Sequence, residues 1–138
     1  MRCGFAVGFF LFLIMPGCGP SKVQVKGRLE WTDGKPATEL ANGQVIFESP
    51  GTRTSARGVI SKDGTFSINT ESTSDGVLPG EYLVAIVEHR PAPEGSTTIP
   101  PQYLPDRYYT FTTSNLTAIV KTGANDIVLK LERMPGKK

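Results

Sequence analysis

The sequence is poor in the residues on which most catalytic and metal sites depend. Its 138 residues include one histidine, His89, and two cysteines, Cys3 and Cys18. A metal site with two histidine ligands is therefore excluded within one chain. A serine or cysteine nucleophile would have to use His89 as its base, and no Gly-x-Ser-x-Gly elbow accompanies it. We therefore expect a protein that is not an enzyme, with no catalytic residue, no metal site and no cofactor.

The sequence also lacks an excess of one charge and any helical pattern. It has 15 lysines and arginines against 13 acidic residues, for a net charge of +2, and the two signs are interspersed. A nucleic-acid interface needs a basic patch, which this distribution does not provide, so we expect no nucleic-acid partner. No segment repeats apolar residues with the 3.6-residue period of an amphipathic helix. The sequence therefore predicts a chain built without long helices.

The longest apolar run lies at the amino terminus. Arg2 precedes an apolar stretch over residues 5–15, and Gly17 stands directly before Cys18. An uncleaved membrane-spanning helix would need ~20 apolar residues, more than this stretch supplies. The pattern predicts a lipoprotein export signal over residues 1–17, with cleavage before Cys18 and acylation of its thiol. Acyl chains such as palmitate, at ~0.8 kcal/mol for each buried methylene, would hold the protein at a membrane.

These features predict an extracytoplasmic location in the cell envelope, with the membrane as a partner through lipidated Cys18. Cleavage removes Cys3 with the signal, so the mature chain has no cysteine pair for an internal disulfide. We expect a lipidated cysteine and short linker over residues 18–22, one domain stabilised by packing over 23–133, and a solvated tail over 134–138. The oligomeric state stays open.

The domain is predicted to consist of short strands separated by turns. Apolar and polar residues alternate over residues 22–32, as in a strand with one buried face. The pair Asp63-Gly64 between two extended runs is the strongest hairpin signal, and residues 83–87, apolar on both faces, indicate a central strand. The predicted strands cover residues 22–32, 44–49, 57–61, 66–70, 81–89, 116–122 and 126–132. The fold class predicted is an all-β, seven-stranded antiparallel sandwich.

Four stretches along these strands carry a family resemblance. They are Gly27 with Gly34-Lys35-Pro36, Lys62-Asp63-Gly64-Thr65-Phe66, Asp75-Gly76-Val77-Leu78-Pro79-Gly80-Glu81-Tyr82, and Ser114-Asn115-Leu116-Thr117 leading to Gly123-Ala124-Asn125. In this order they resemble the carboxypeptidase regulatory-like domain, a transthyretin-like (prealbumin-like) sandwich that also occurs alone in small bacterial lipoproteins. The resemblance spans residues 23–131 and implies a Greek-key topology with no catalysis by the module itself.

The motif residues have an architectural interpretation. Glycines in tight turns supply backbone conformations that strain other residues. Tyr82 enters the central strand just after a Pro-Gly turn, where a tyrosine corner would bond its hydroxyl to upstream backbone near Asp75. The structural residues predicted are Gly64, Gly76, Pro79, Gly80, Tyr82 and Gly123.

The proline-rich segment over residues 90–113 is the candidate binding surface. It combines aromatic rings with guanidinium groups, which can stack on sugar rings or capture side chains of a partner. The candidate residues are Arg90, Tyr103, Arg107, Tyr108, Tyr109 and Phe111. The function predicted first is a module that binds an envelope protein or polysaccharide. The alternative is a structural spacer or accessory subunit whose rings only cap the core. Exposure of Tyr108, Tyr109 and Phe111 would favour binding, and their burial would favour the spacer.

Overall fold

The computed structural model describes residues 17, 19, 21–69 and 76–137. Residues 1–16 of the signal predicted over residues 1–17, the acylation site Cys18 and the turn residue Asp75 lie outside this range. The described chain is all-β, with two short 3-10 turns, Thr38–Leu40 and Asp106–Tyr109. Its strands are β1 Val25–Trp31, β2 Gln44–Glu48, β3 Ser55–Val59, β4 Thr65–Ile68, β5 Gly80–Val87, β6 Leu116–Val120 and β7 Asn125–Leu131. Among the described residues, no helix has the length and apolar character needed to cross a membrane.

The strands form two sheets that pack face to face. The first sheet has the order β4-β1-β7 and the second has the order β3-β2-β5-β6. Alternate residues of each strand point between the sheets, as the sequence pattern predicts. The largest fully buried side chains include Trp31, Phe47, Leu29, Leu40, Ile60, Ile68, Ile86, Leu104 and Leu131. Each predicted strand overlaps an observed one, and the all-β, two-sheet fold class is confirmed.

The prediction of a purely antiparallel sandwich is wrong at one pair. β1 and β7 run parallel, in register from Val25 opposite Asn125 to Trp31 opposite Leu131. Turn residues set the relative direction of strands that follow each other in the chain, but β1 and β7 are the first and last strands. The alternation of apolar and polar residues in β7 buries the same side chains whether β7 runs parallel or antiparallel to β1. The sequence pattern therefore does not predict the relative direction of these two strands.

The Asp63-Gly64 turn forms as predicted, but it joins strands of different sheets. Asp63 Oδ1 accepts hydrogen bonds from the backbone N–H and the hydroxyl of Thr65, at 3.1 and 2.6 Å. β3 before the turn belongs to the second sheet, and β4 after it belongs to the first. Two isolated bridges, Ile60 with Phe66 and Arg57 with Asn69, hold these strands together at one side of the sandwich.

The motif residues occupy turns. The predicted glycines Gly64, Gly76, Gly80 and Gly123 all have positive φ. Gly76 needs to be glycine for two reasons: its φ is positive, and a Cβ there would lie 2.3 Å from the carbonyl oxygen of Val23. The Tyr82 hydroxyl donates to the carbonyl oxygen of Leu78 at 2.7 Å. The tyrosine therefore bonds to upstream backbone, with Leu78 as its acceptor.

The start of β1 and the candidate binding residues lie at opposite ends of the sandwich. At the near end, Val23 exchanges backbone hydrogen bonds with Val77, just before β5 begins. At the far end, β1 finishes at Trp31 and β5 finishes at Val87. The seven residues of β1 separate these ends by about 20 Å. The candidate residues after β5 therefore lie at the end remote from Val23 and the start of β1.

Candidate functional site

A charged cluster covers the tryptophan at the far end. The indole N–H of Trp31 donates to Glu39 Oε2 at 3.0 Å, and the Arg133 guanidinium lies 4.5 Å from the centre of the Trp31 ring. Arg133 also pairs with Asp33 at 2.8 Å and with Glu39 at 3.2 Å. A guanidinium over an aromatic face is attracted by the ring quadrupole. The cluster thus ties the end of β1 to the segment after β7.

The cluster holds its carboxylates in the charged form. The backbone N–H of Lys35 and then Arg133 lower the pKa of Asp33. For Glu39, burial acts to raise the pKa, but hydrogen bonds from backbone, Trp31 and Arg133 outweigh it and hold the pKa below its usual value. Groups stabilised as permanent charges are suited to structural ion pairs rather than to proton transfer near neutral pH.

The proline-rich segment is fastened to the end of β5 by Glu88. One carboxylate oxygen, Oε1, accepts the backbone N–H groups of Tyr103 at 2.8 Å and Leu104 at 2.5 Å. Nearby, Arg90 donates from Nη2 to the carbonyl oxygen of Pro100 at 2.9 Å. Hydrogen bonds to a charged acceptor contribute more than neutral ones. The segment is therefore a fixed part of the domain.

Tyr108, one of the candidate binding residues, is buried. Only 3% of its surface is accessible, and its hydroxyl accepts the backbone N–H of Glu132 at 3.0 Å. Arg107 spans the same site, donating to the Tyr108 hydroxyl at 3.0 Å and to Glu132 at 2.7 Å. The 3-10 turn follows the fully buried Leu104, and this geometry directs Tyr108 into the sandwich. Tyr108 therefore packs into the core and does not present its ring at the surface.

The remaining aromatic candidates are partly covered. Tyr103 packs against the core, and Tyr109 and Phe111 are half-buried. Of the six candidates, only Arg90 and Arg107 are exposed. The six residues therefore do not form one exposed aromatic surface.

Tyr109 and Glu88 place two buried oxygens at the base of the segment. The Tyr109 hydroxyl and Glu88 Oε2 each lack a hydrogen-bond partner of good geometry among the described residues. They are nevertheless close enough to interact electrostatically: burial, and then the negative charge of Glu88, raise the pKa of Tyr109 to about 12. Ionisation of Tyr109 would put a second negative charge beside this carboxylate.

We expect alkaline pH to destabilise the fold through Tyr109. The pKa is raised from 10.0 to about 12 on folding, so its contribution to stability is present below pH 10 and is lost as pH rises from 10 to 12. Urea unfolding between pH 9 and 12 should show a steeper loss of stability in the natural protein than in a Tyr109→Phe variant. The variant should also lack a phenol that titrates near pH 12 by ultraviolet absorbance. Equal slopes in the two proteins would contradict the assignment.

A small groove of about 200 Å³ opens beside this segment. Its lining includes Glu39, Glu88, His89 and Arg90, with a wall of prolines. His89 is exposed, and Glu88 already holds two backbone N–H groups. No group of three or more histidine, cysteine or acidic residues placed to hold a metal occurs among the described residues.

A larger and shallower groove of about 520 Å³ runs over the outer face of the first sheet. Its polar lining carries both signs of charge, from Lys26 and Arg28 on one side to Asp126 on the other. Arg28 spans this face, 2.7 Å from Glu30 and 3.5 Å from Asp126. These exposed ion pairs each contribute little to stability. The lining residues do not converge on a common point, so we interpret this groove as a solvated surface.

Sequence reasoning missed Glu88 and the Trp31 cluster. A signal for Glu88 existed, because it is an acid directly after a strand that is apolar on both faces and before a segment without strand or helix periodicity, whose remaining backbone N–H groups need acceptors. No comparable signal pairs Trp31 with Arg133, which lie 102 residues apart in the chain. No family model, curated protein or solved structure matches the chain.

Proposed function

We propose that the protein is a non-catalytic, lipid-anchored envelope protein whose β-sandwich acts as a rigid structural module, a spacer or accessory subunit. The observation that carries the proposal is the inward packing of aromatic side chains in the proline-rich segment. Tyr108 is buried and bonded to Glu132, and Glu88 fastens the chain at Tyr103 and Leu104. Rings used in this way stabilise the far end instead of presenting a contact surface.

The finer fold assignment belongs to the same proposal. We assign the domain to the carboxypeptidase regulatory-like, transthyretin-like sandwiches with Greek-key topology. The assignment is supported by the three- and four-stranded sheets, by the Tyr82 hydroxyl bonded to the backbone of Leu78, and by positive φ at the motif glycines. These are features of the scaffold, and they carry no reactive group.

The proposed anchor suits the position of Val23 at the near end. Val23 lies at the near end, bonded to Val77, and Cys18 is five residues upstream in the sequence. A linker of that length spans less than ~18 Å even when fully extended. Lipid on Cys18 would therefore hold the near end close to the headgroups.

Replacing Cys18 with serine tests the anchor. We expect Cys18→Ser to move the protein from the membrane fraction to the soluble envelope fraction, because an unacylated side chain has no hydrocarbon to insert. Circular dichroism should show the same β-sheet content as the natural protein. Cys3→Ser is the matched control, since Cys3 lies within the proposed signal and its loss should not alter fractionation. Membrane retention of Cys18→Ser would refute the anchor.

A second candidate function is binding of an envelope protein or polysaccharide at the far end. The groove beside His89 and Arg90 favours it, because it is concave and combines exposed donors with a rigid proline wall. A photo-crosslinking residue at position 90 distinguishes the two functions in intact cells. A discrete adduct that disappears when Pro100 and Pro101 are replaced would support binding, whereas a spacer should give none at this position.

A further inference from the structure

β7 is an edge strand of the first sheet, and no other strand of the described residues pairs with its outer side. The backbone N–H of Thr32 donates to the carbonyl of Leu131 at 3.0 Å, so Leu131 directs its peptide groups towards β1. Because peptide groups alternate along a strand, Ile127 and Leu129 do the same. The intervening residues, Asp126, Val128 and Lys130, therefore direct their N–H and C=O groups away from the sheet.

The same three residues carry a self-complementary pattern of side chains. Asp126, Val128 and Lys130 all lie on the solvent face of β7. Val128 is 37% exposed and is among the large apolar side chains left on the surface. The pattern reads negative, apolar, positive. In an antiparallel pair of two such strands centred on Val128, each Asp126 would face Lys130 of the other copy.

We propose that two copies of this chain associate through β7, antiparallel and centred on Val128, joining the two three-stranded sheets into one of six strands. This inference goes beyond the proposed function and does not require the anchor. The pairing satisfies the free peptide groups of both edges, which otherwise leave an exposed template. It also covers Val128 with its own copy and forms two symmetric charge pairs, as an isologous interface requires.

The described residues favour a register centred on Val128 over registers centred on Asp126 or Lys130. At the end of the strand, the N–H of Glu132 already bonds to the Tyr108 hydroxyl, and at its start the Asn125 side chain bonds to Lys121. A register centred on Asp126 would place like negative charges opposite each other, and one centred on Lys130 would do the same with positive charges. Like charges directly opposite are destabilising.

The neighbouring edge strand β6 does not share the pattern. Ile119 is 65% exposed, more than Val128, but self-pairing about Ile119 would place Thr117 opposite Lys121 with no charge compensation. Exposed apolar area alone would favour β6, whereas the charge pattern favours β7. This difference makes Ile119 the matched control position.

Charge exchange across the interface tests the proposal. The purified full chain in detergent should sediment as a dimer, and Lys130→Asp should weaken self-association at least tenfold by placing carboxylates opposite each other. Asp126→Lys should do the same, although it also removes the 3.5 Å ion pair with Arg28. The double variant Asp126→Lys, Lys130→Asp restores opposite charges and should restore the dimer. Unchanged melting of each variant shows that folding is intact.

Cysteine trapping provides the second measurement. Facing residues of a bonded antiparallel pair have Cα atoms about 5.5 Å apart, within the range a disulfide needs. In a chain with Cys3 and Cys18 changed to serine, Val128→Cys should give covalent dimers on mild oxidation, and Ile119→Cys should give none. A monomeric natural chain, a double variant that stays monomeric, or equal trapping at positions 119 and 128 would overturn the proposal. Failure of the Cys18→Ser fractionation test would leave all these results unaffected.

Discussion

Replacing Gly58 with alanine is expected to lower the melting temperature by roughly 10–15 °C. Gly58 is buried in β3, and a Cβ added there would lie 2.1 Å from the carbonyl oxygen of Ser67 and 2.8 Å from its carbonyl carbon. Both atoms belong to the backbone of β4, so no side-chain rotation relieves the clash. The two strands must separate, at a cost of about 3 kcal/mol, the upper end of the usual range for an overpacked core.

The site of the clash explains the size of the effect. β3 and β4 belong to different sheets and are joined by the Ile60–Phe66 and Arg57–Asn69 bridges on either side of Gly58. Moving them apart disturbs both sheets and the adjoining core at Ile68, whose Cδ1 lies 3.2 Å from the added Cβ.

Gly51→Ala is the matched control for this prediction. A Cβ at Gly51 meets nothing within 4 Å, so this variant should melt within about 2 °C of the natural protein. Thermal unfolding followed by circular dichroism measures both variants. Equal melting temperatures for Gly51→Ala and Gly58→Ala would show that the two sheets are not in close contact at this corner.

The strands of this fold were predictable because each carries a local signal in its own sequence. The alternation over residues 22–32 identifies β1 and its buried face, and the apolar run over residues 83–87 identifies the central β5. Turn residues mark the strand ends, as Asp63-Gly64 does before β4. These signals are local, and they act on neighbours in sequence.

Features set by distant parts of the chain were not predictable in the same way. The parallel direction of β7 beside β1 depends on how the two sheets close, and no residue in either strand encodes it. The proline-rich segment shows no regular alternation of apolar and polar residues. The sequence pattern therefore could not predict which of its side chains are buried and which are exposed. Tyr108 illustrates this, since its burial follows from the 3-10 turn and from the N–H of Glu132 that needs an acceptor.

Replacing Trp31 with alanine is expected to lower the free energy of unfolding by about 3–5 kcal/mol. The side chain is 1% exposed, so the truncation leaves a cavity at the far end of the core. It also removes the N–H donor to Glu39 at 3.0 Å and the ring beneath the Arg133 guanidinium. Arg133 would then keep its ion pairs without the aromatic face that packs against it.

Trp31→Phe separates the packing contribution from that of the indole N–H. Phenylalanine retains much of the apolar volume and an aromatic face for Arg133, but it leaves one donor to Glu39 missing. We expect a loss of about 1–2 kcal/mol, the cost of one unmade bond to a charged acceptor. Urea unfolding followed by circular dichroism is the suitable measurement, because Trp31 is the only tryptophan and both variants lose its fluorescence. Equal stabilities of Trp31→Ala and Trp31→Phe would show that the ring contributes little packing at this end of the sandwich, and that the hydrogen bond to Glu39 accounts for the effect.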